Sequence, residues 1–412
     1  MDAQTAIARV FREDSGRVLA FLIRTLRDFE LAEDALQDAI AAALERWPVD
    51  GVPDNPAAWL TTTARRKALD RLRRRTTRVD KAADLRVLAS LEHDVTIELE
   101  DASVPDDRLR LIFTCCHPAL SPEAQIGLTL RTLGGLTTSE IARSFLTPEV
   151  TVAQRLVRAK RKIRDARIPY RVPAPELLPE RLESVLTVLY LIFNEGYNAT
   201  SGADIVRDDL CAEAIRLASV VVALMPEEPE PRGLLGLMLL QDSRRDARVA
   251  PDGRLVTLDH QDRTRWDHEQ IERGAGVLRA ALRMGRVGKY QIQGAIAAVH
   301  AESSSPEATD WRQIVGLYDV LFALLPTPVV ALNRAVAVAM ADGPKAGLDL
   351  LNDPAVSEPL SSYYLFHAAT ADLHRRAGSL VAAAACYRRA LALTTNETER
   401  SYLEGRLAEV SQ

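Results

Sequence analysis

An all-α fold is what this sequence predicts, and three observations predict it. Ala, Leu and Arg dominate the 412 residues while aromatic residues make up only 5%, a mixture that favours helices over sheets. Apolar residues recur at three- and four-residue spacing over long stretches, interrupted by Pro and Gly. The second half repeats itself weakly: Ala223-Leu224-Met225-Pro226 returns as Ala323-Leu324-Leu325-Pro326, each time closing an apolar helix and preceding another. The expected architecture is a helical bundle, then a helix-turn-helix, then a tetratricopeptide-like array of helical hairpins. At this length two or three domains are expected.

Taken in order, residues 5–78 read as helix-rich, broken by a loop at 48–56 whose three prolines and Gly51 stop a helix. Residues 92–107 hold seven acids and no Lys or Arg, and read as an extended acidic linker. A second helical segment spans 107–167, and the proline-spaced stretch 169–179 separates it from everything downstream. The domains expected are 1–80, a linker 81–106, 107–171 and 172–412. Near the end, Ala383, Tyr387 and Ala390 fall at the spacing of the second helix of a hairpin, after a helix over 365–376 and a turn at Gly378.

Charge separates the two parts. Residues 1–171 carry 28 basic and 25 acidic groups, a balance of +3, whereas 172–412 carry 24 and 32, a balance of -8. Different partners are expected for each. Asp2 and a polar amphipathic stretch follow Met1, without the apolar run of a signal peptide or a membrane span, so a cytoplasmic location without membrane contact is expected. Four cysteines in a chain this long form no disulfide framework.

Three constellations carry chemistry. In residues 31–47, Leu31, Ala35, Leu36, Ala39, Ile40 and Leu44 make an apolar helix face, with Asp34, Gln37, Asp38 and Glu45 on the polar side. Residues 59–86 contain ten basic groups (Arg65, Arg66, Lys67, Arg71, Arg73, Arg74, Arg75, Arg78, Lys81, Arg86) against three acids. Such a cluster binds phosphate through counterion release, and Trp59 with the Thr61, Thr62, Thr63 run supplies a flat stacking surface and hydroxyl donors, as single-stranded DNA requires. Trp59 suits a core position at a helix start equally well. Residues 136–156 read as helix, turn, helix: Thr138 caps the first, Ile141, Ala142 and Phe145 face inward, and Thr147-Pro148-Glu149 starts the second. From 154 to 171 there are eight basic residues and one acid, suited to a major groove and its flanking phosphates.

The order Asp34-Ala35-Leu36-Gln37-Asp38, basic helix, acidic linker and helix-turn-helix resembles regions 2 and 4 of the extracytoplasmic-function (group 4) sigma factors of the sigma-70 family. The long remainder resembles the subgroup with a tetratricopeptide-like C-terminal extension. The resemblance implies an alternative sigma factor that binds core RNA polymerase and directs transcription initiation. It implies docking on the β′ clamp helices by Asp34, Gln37 and Asp38, with the β flap as a second polymerase contact. It implies -10 reading by Trp59, Thr61, Thr62, Arg65, Arg66 and Arg71, and -35 reading by Thr138, Thr151, Gln154, Arg155, Arg158, Lys160 and Lys162. Where the family has Gly-Thr-Val-Lys before the reading helix, this chain has Val150-Thr151-Val152-Ala153.

In the C-terminal part, Asn194, Glu195, Tyr197, Asp262, Arg263, Trp266, Tyr290, His300, Trp311, Asn333 and Arg334 interrupt apolar runs. They suit a concave regulatory surface for a protein or small ligand, or equally helix caps and buried networks between hairpins. No zincin helix, dinucleotide turn, phosphate loop or nucleophile elbow is present, so no enzyme activity and no cofactor are expected. Cys115-Cys116-His117 lacks the spacing of a zinc site, and buried thiols are expected there. The competing functions are a helix-turn-helix regulator that acts without polymerase, and a tetratricopeptide scaffold that needs no Asp34–Asp38 helix.

Overall fold

A computed structural model describes residues 15–16, 18–26, 28–76, 104–145, 147–197, 208–250, 255–394 and 397–411. Among them the chain is helical throughout, with one isolated antiparallel bridge, Val249 to Leu255. It forms two compact units, Met1–Leu191 and Ile192–Gln412.

In the first unit, α1 (Phe29–Asp50) starts at Asp28, whose carboxylate accepts from the Leu31 amide at 3.0 Å. It buries Leu31, Ala32, Ala35, Leu36, Ala39, Ala43 and Trp47. Leu44, expected on this face, is exposed, because the 3.6-residue period runs through Ala43 and leaves Leu44 about 100° away. The helix also continues through Pro48, expected to break it, since a proline in the last turn removes only one bond, and Gly51 then ends it at φ +86°. Helix α2 (Pro56–Thr76) starts on Asn55, which accepts from the Ala58 amide, and packs on α1 through Ala57, Leu60, Ala64, Ala68 and Leu72.

The acidic stretch falls mostly outside the described residues, as do Arg78, Lys81 and Arg86 and the side chains of Arg74 and Arg75. Its end is helical instead of extended: α3 (Val104–Cys115) begins there, and buried Asp107 pairs with Arg24 at 3.2 Å and Arg110 at 3.4 Å. Helix α4 (Pro122–Thr132) packs on α3, and Cys115 and Cys116 lie between them, buried beside the hydroxyls of Thr132 and Thr129. Burial pushes both thiols up, Cys116 to about 11, so neither is a ready thiolate.

Helices α5 (Thr138–Ser144) and α6 (Glu149–Asp165) pack as a helix-turn-helix. The cap of α5 is Thr137, not Thr138: its hydroxyl accepts from the Glu140 amide, and the Glu140 carboxylate accepts from the Thr137 amide at 2.7 Å. Thr138 is the first helical residue. Ile141 and Ala142 are buried, and α6 turns Val152, Leu156, Ala159 and Ile163 inward.

Helix α7 (Leu178–Tyr197) crosses from one unit into the other. In the second unit, α8 (Asp208–Leu224), α10 (His268–Leu282) and α11 (Lys289–Glu302) surround α9 (Pro229–Asp242), which is apolar nearly all round and buried as such helices are. A Cβ at Gly233 would lie 2.7 Å from the Gln291 backbone, so only glycine lets α9 and α11 approach this closely. Hairpins follow: α12 (Trp311–Leu324) with α13 (Pro328–Asp342), then α14 (Pro344–Leu351), short α15 (Pro354–Ser357), α16 (Tyr364–Arg376) with α17 (Leu380–Leu393), and α18 (Glu397–Val410). The expected hairpin at Gly378 is present, with that residue at φ +76° and Ala383, Tyr387 and Ala390 in the core.

Candidate nucleic-acid interface

The i, i+3/i+4 burial of α2 sorts the residues expected to read DNA. Thr62, Arg66 and Lys67 are exposed on the face away from α1, and Arg65 is half-buried. Thr61 faces the core, where its hydroxyl donates to the Ala57 carbonyl at 2.8 Å. Trp59 is half-buried, and its ring meets that of Trp47 in a T-shaped contact at 5.5 Å, so part of the indole is used in packing.

Arg71 is committed to α1. Its guanidinium lies 2.5 Å from the Asp34 carboxylate and 2.9 Å from that of Asp38, and all three side chains are about a third exposed. The two acids expected to dock a partner and a base expected to contact DNA thus form one bridge, while Gln37 stays exposed beside them. Sequence reasoning placed these residues in separate sites, and nothing local signals a bond 33 to 37 positions long.

On α6 the exposed stripe carries Gln154, Arg155, Arg158 and Lys162, with Thr151 half-buried at its start and Thr138 half-buried at the start of α5. These cations stand together on one stripe, with the Glu123 carboxylate close enough to Arg155 to feel its charge, and offer the surface a phosphate backbone needs. Lys160 departs from the set: it is ion-paired with Glu33 of α1, and Arg164 reaches Glu30 at 3.9 Å. Neither glutamate was singled out from the sequence.

The C-terminal candidates form a different object. Tyr197 stacks on Phe193, and the Arg248 guanidinium lies 3.7 Å from the Tyr197 ring centroid. Arg244 donates to the Tyr197 hydroxyl at 3.3 Å and lies 6.0 Å from the Trp266 ring, while Arg263 lies 4.6 Å from that same ring. Arg263 also donates to the carbonyls of His300 and Ser303, and His300 meets Trp311 edge-on at 5.2 Å. Burial, then Arg244 and Arg263, lower His300 to about 4, which keeps it neutral at pH 7. Tyr197, Arg263, Trp266, His300 and Trp311 are thus brought together, joined by Arg244 and Arg248, which the sequence reading missed.

Trp266 and Tyr290 are buried instead of lining an open groove, and the Tyr290 amide donates to Glu230 at 3.1 Å. Asp262 caps a 3-10 turn by accepting from the Thr264 amide. Asn194 and Glu195 are half-buried on α7. Asn333 is exposed and Arg334 pairs with Asp319 at 2.6 Å, apart from the aromatic array. Among the described residues no group of His, Cys, Asp and Glu could hold a metal ion, and no helix is long and apolar enough to cross a membrane.

Comparison with known proteins matches this geometry region by region. Residues 10–78 match the family sigma-70 region 2, residues 110–163 match sigma-70, region 4, and residues 181–282 match a family of unknown function, DUF6596. The uncharacterized protein R00370 of Rhizobium meliloti (strain 1021) is 42% identical over 393 residues, 95% of this chain and 92% of its own length. The probable ECF RNA polymerase sigma factor SigI of Mycobacterium tuberculosis is 26% identical over 169 residues, 41% of this chain and 58% of the relative. The ECF RNA polymerase sigma factor SigK of Mycobacterium bovis (strain BCG) is 28% identical over 166 residues, 39% of this chain and 86% of the relative. No solved structure matches.

Proposed function

The chain belongs to the extracytoplasmic-function sigma factors of the sigma-70 family, with a C-terminal extension, and from that premise we propose how its surfaces divide the work of an alternative sigma factor. The partners of such a factor are core RNA polymerase and promoter DNA. In our reading residues 1–80 and 107–171 are the two promoter-reading regions, 81–106 joins them, and 172–412 regulates. The Asp34, Gln37, Asp38 turn docks on the β′ clamp helices, and the helix-turn-helix region meets the β flap. Thr62, Arg65 and Arg66 engage the -10 element, with Trp59 offering its exposed part to an unpaired base and Arg71 joining them once docking takes over its carboxylates. Thr61 serves the fold. Thr151, Gln154, Arg155, Arg158 and Lys162 engage the -35 element, with Thr138 on the adjacent backbone. The protein acts in the cytoplasm and catalyses no reaction of its own.

The observation that carries this reading is the pair of cationic stripes on α2 and α6, each exposed on a helix whose opposite face is core. An independent helix-turn-helix regulator does not need the exposed α2 stripe or the acidic turn of α1. Run-off transcription from genomic fragments, with purified core polymerase and the full chain, tests it. Start sites that require both components are expected; sequence-specific duplex binding without core, and no initiation with it, would favour the independent regulator. The full chain is the right reagent, because Arg181 of α7 donates to the Phe113 carbonyl of α3, and truncation after Arg171 removes that contact.

For the C-terminal unit we propose a regulatory role for the face around Tyr197, Arg263 and Trp311, with a protein or small ligand as effector. The support is the dense, partly exposed arginine–aromatic array at that face.

A further inference from the structure

We propose that the C-terminal unit holds a small ligand by its phosphoryl group, at a site built from Arg244, Arg263 and the indole N–H of Trp266. The inference rests on the regulatory reading of this face and names the chemistry of its effector. Arg244 and Trp266 are 9% and 4% exposed, and Arg263 is half-buried. Both guanidiniums lie against the Trp266 ring, 6.0 and 4.6 Å from its centroid. Three donors at this one contact, Nε of Arg244, Nε of Arg263 and Nε1 of Trp266, are buried without a hydrogen-bond partner. Buried donors in a folded chain are nearly always paired, so three in one place mark bonds that the chain leaves for something else to make.

The charge is equally incomplete. Arg244 donates to the Tyr197 hydroxyl, and Arg263 to the carbonyls of His300 and Ser303, so every hydrogen-bond acceptor they have is neutral. Among the described residues no carboxylate lies within ion-pair distance of either. Arg248 adds a third guanidinium on the Tyr197 ring. Burial, and then the charge of Arg244, hold Arg248, Arg263 and His300 below their ordinary values, so all four groups share one positive field. The acids whose charge reaches this field are engaged elsewhere or exposed. Asp259 pairs with Arg376 at 3.1 Å, Glu399 accepts from the Tyr364 and Thr394 hydroxyls, and Glu307 faces solvent.

A phosphoryl group answers both deficits. A guanidinium resting on a ring keeps the N–H groups of its edge for an oxyanion, to which it can fork with two bonds. A phosphate monoester carries a charge of about -1.5 to -2 at pH 7, which matches two uncompensated cations. A carboxylate brings a single charge and two oxygens, too few to serve two guanidiniums and an indole N–H together. Donors this deeply set suit a compact group better than an extended phosphate backbone, and half-buried Arg263 marks the side open to solvent.

Fluorine NMR of the full chain labelled with 5-fluorotryptophan tests the site, because the four tryptophans, Trp47, Trp59, Trp266 and Trp311, report separately on the promoter stripe and on the C-terminal array. Trp47→Phe, Trp59→Phe and Trp311→Phe assign Trp266 by elimination. Sodium phosphate and phenyl phosphate should each move the Trp266 resonance saturably, while chloride and acetate at equal ionic strength should not. Tighter binding of the monoester would identify the source as a phosphorylated small molecule, and equal binding as free phosphate; either sustains the site. Arg263→Gln should weaken binding about tenfold or more, as loss of a charge-assisted bond predicts, and exposed Arg283→Gln should leave it unchanged. A Trp266 resonance that stays fixed, that moves as far with acetate, or that is still while Trp59 alone moves overturns the inference. The unaltered chain gives that outcome whether or not the variant folds. Core-dependent transcription with Arg263→Gln separates the two readings. Altered transcription without phosphate binding keeps the regulatory face and removes its phosphoryl ligand, whereas phosphate binding with unaltered transcription keeps the site and removes the regulation.

Discussion

Two groups of arginines, one in each unit of this molecule, do opposite jobs. In the first, Arg71 and Arg164 reach for carboxylates of another helix from partly exposed positions, and Arg66 and Arg158 point into solvent. In the second, Arg244 and Arg248 are buried and lie against Tyr197 and Trp266, bonding to hydroxyl and carbonyl oxygens. Guanidinium groups suit both uses, because their charge is spread over a plane that can fork to a carboxylate or stack on a ring. What differs is solvation. A cation in water exchanges partners at little cost and can trade a carboxylate for a phosphate. A cation stacked in a core is part of the packing, and its removal leaves a hole and unpaired groups.

Asp38→Arg attacks the exchangeable kind and has the largest expected effect. A like charge facing the polymerase costs about 3 kcal/mol or more, on the order of 100-fold in core-dependent transcription. The fold should survive, since a partly exposed ion pair contributes roughly 1 kcal/mol or less. Pairing Asp38→Arg with Arg71→Asp sharpens the test: the swap restores the bridge between α1 and α2, so thermal stability should recover while transcription stays lost. Recovery of both would mean that Asp38 serves the fold alone.

Trp266→Ala attacks the packed kind. Loss of a buried indole flanked by two guanidiniums should destabilise the C-terminal unit by about 3–5 kcal/mol, read by denaturant unfolding. The first unit should keep its own transition if the two unfold separately. A loss below about 1 kcal/mol would show that the array tolerates collapse and that the contrast between the units is overstated.

Much of this contrast was illegible in the sequence, for a physical reason. Local patterns reported local facts: Thr147-Pro148-Glu149 opened α6, and Gly378 turned the chain between α16 and α17. Basic runs located the exposed cationic stripes of α2 and α6 because their residues share a face within a few turns. Burial within a helix was harder, since Leu44 looks as apolar as Ala43 until the register is fixed, and Thr137 competes with Thr138 for the same cap. Long-range pairing was invisible. Glu33 and Lys160 are 127 positions apart, and Arg244 meets Trp266 only because the connection between α9 and α10 folds back on itself. Trp266 and Tyr290 fitted a groove or a buried network between hairpins, and burial places both in the core.

His300 gives a smaller, pH-dependent test. Its folded value of about 4 lies below the ordinary 6.5, so on acidification the unfolded chain takes up a proton that the folded chain refuses. Stability should therefore fall from about pH 6.5 down to about pH 4, by at most about 3.4 kcal/mol, and level off below, where both states are protonated. In His300→Gln that decline should be absent from the C-terminal transition. An unchanged slope would place the titrating group elsewhere.

The smallest expected effects come from two neighbours that look equivalent in sequence. Thr61 and Thr62 each offer a hydroxyl beside the basic stripe, yet only Thr62 is exposed, and Thr61 is bonded to the Ala57 carbonyl. That carbonyl already accepts a helical amide, so Thr61→Val removes a redundant bond and should shift stability by less than about 1 kcal/mol in either direction. Promoter opening should not respond to it. Thr62→Val should leave stability within about 0.5 kcal/mol and weaken opening of the -10 region by about 1 kcal/mol, roughly fivefold in rate, as loss of one hydrogen bond predicts. If instead Thr61→Val impairs opening and Thr62→Val does not, α2 must rotate by about one residue, roughly 100°, when the factor docks. In that case the exposed face described for the free protein is not the face that meets DNA.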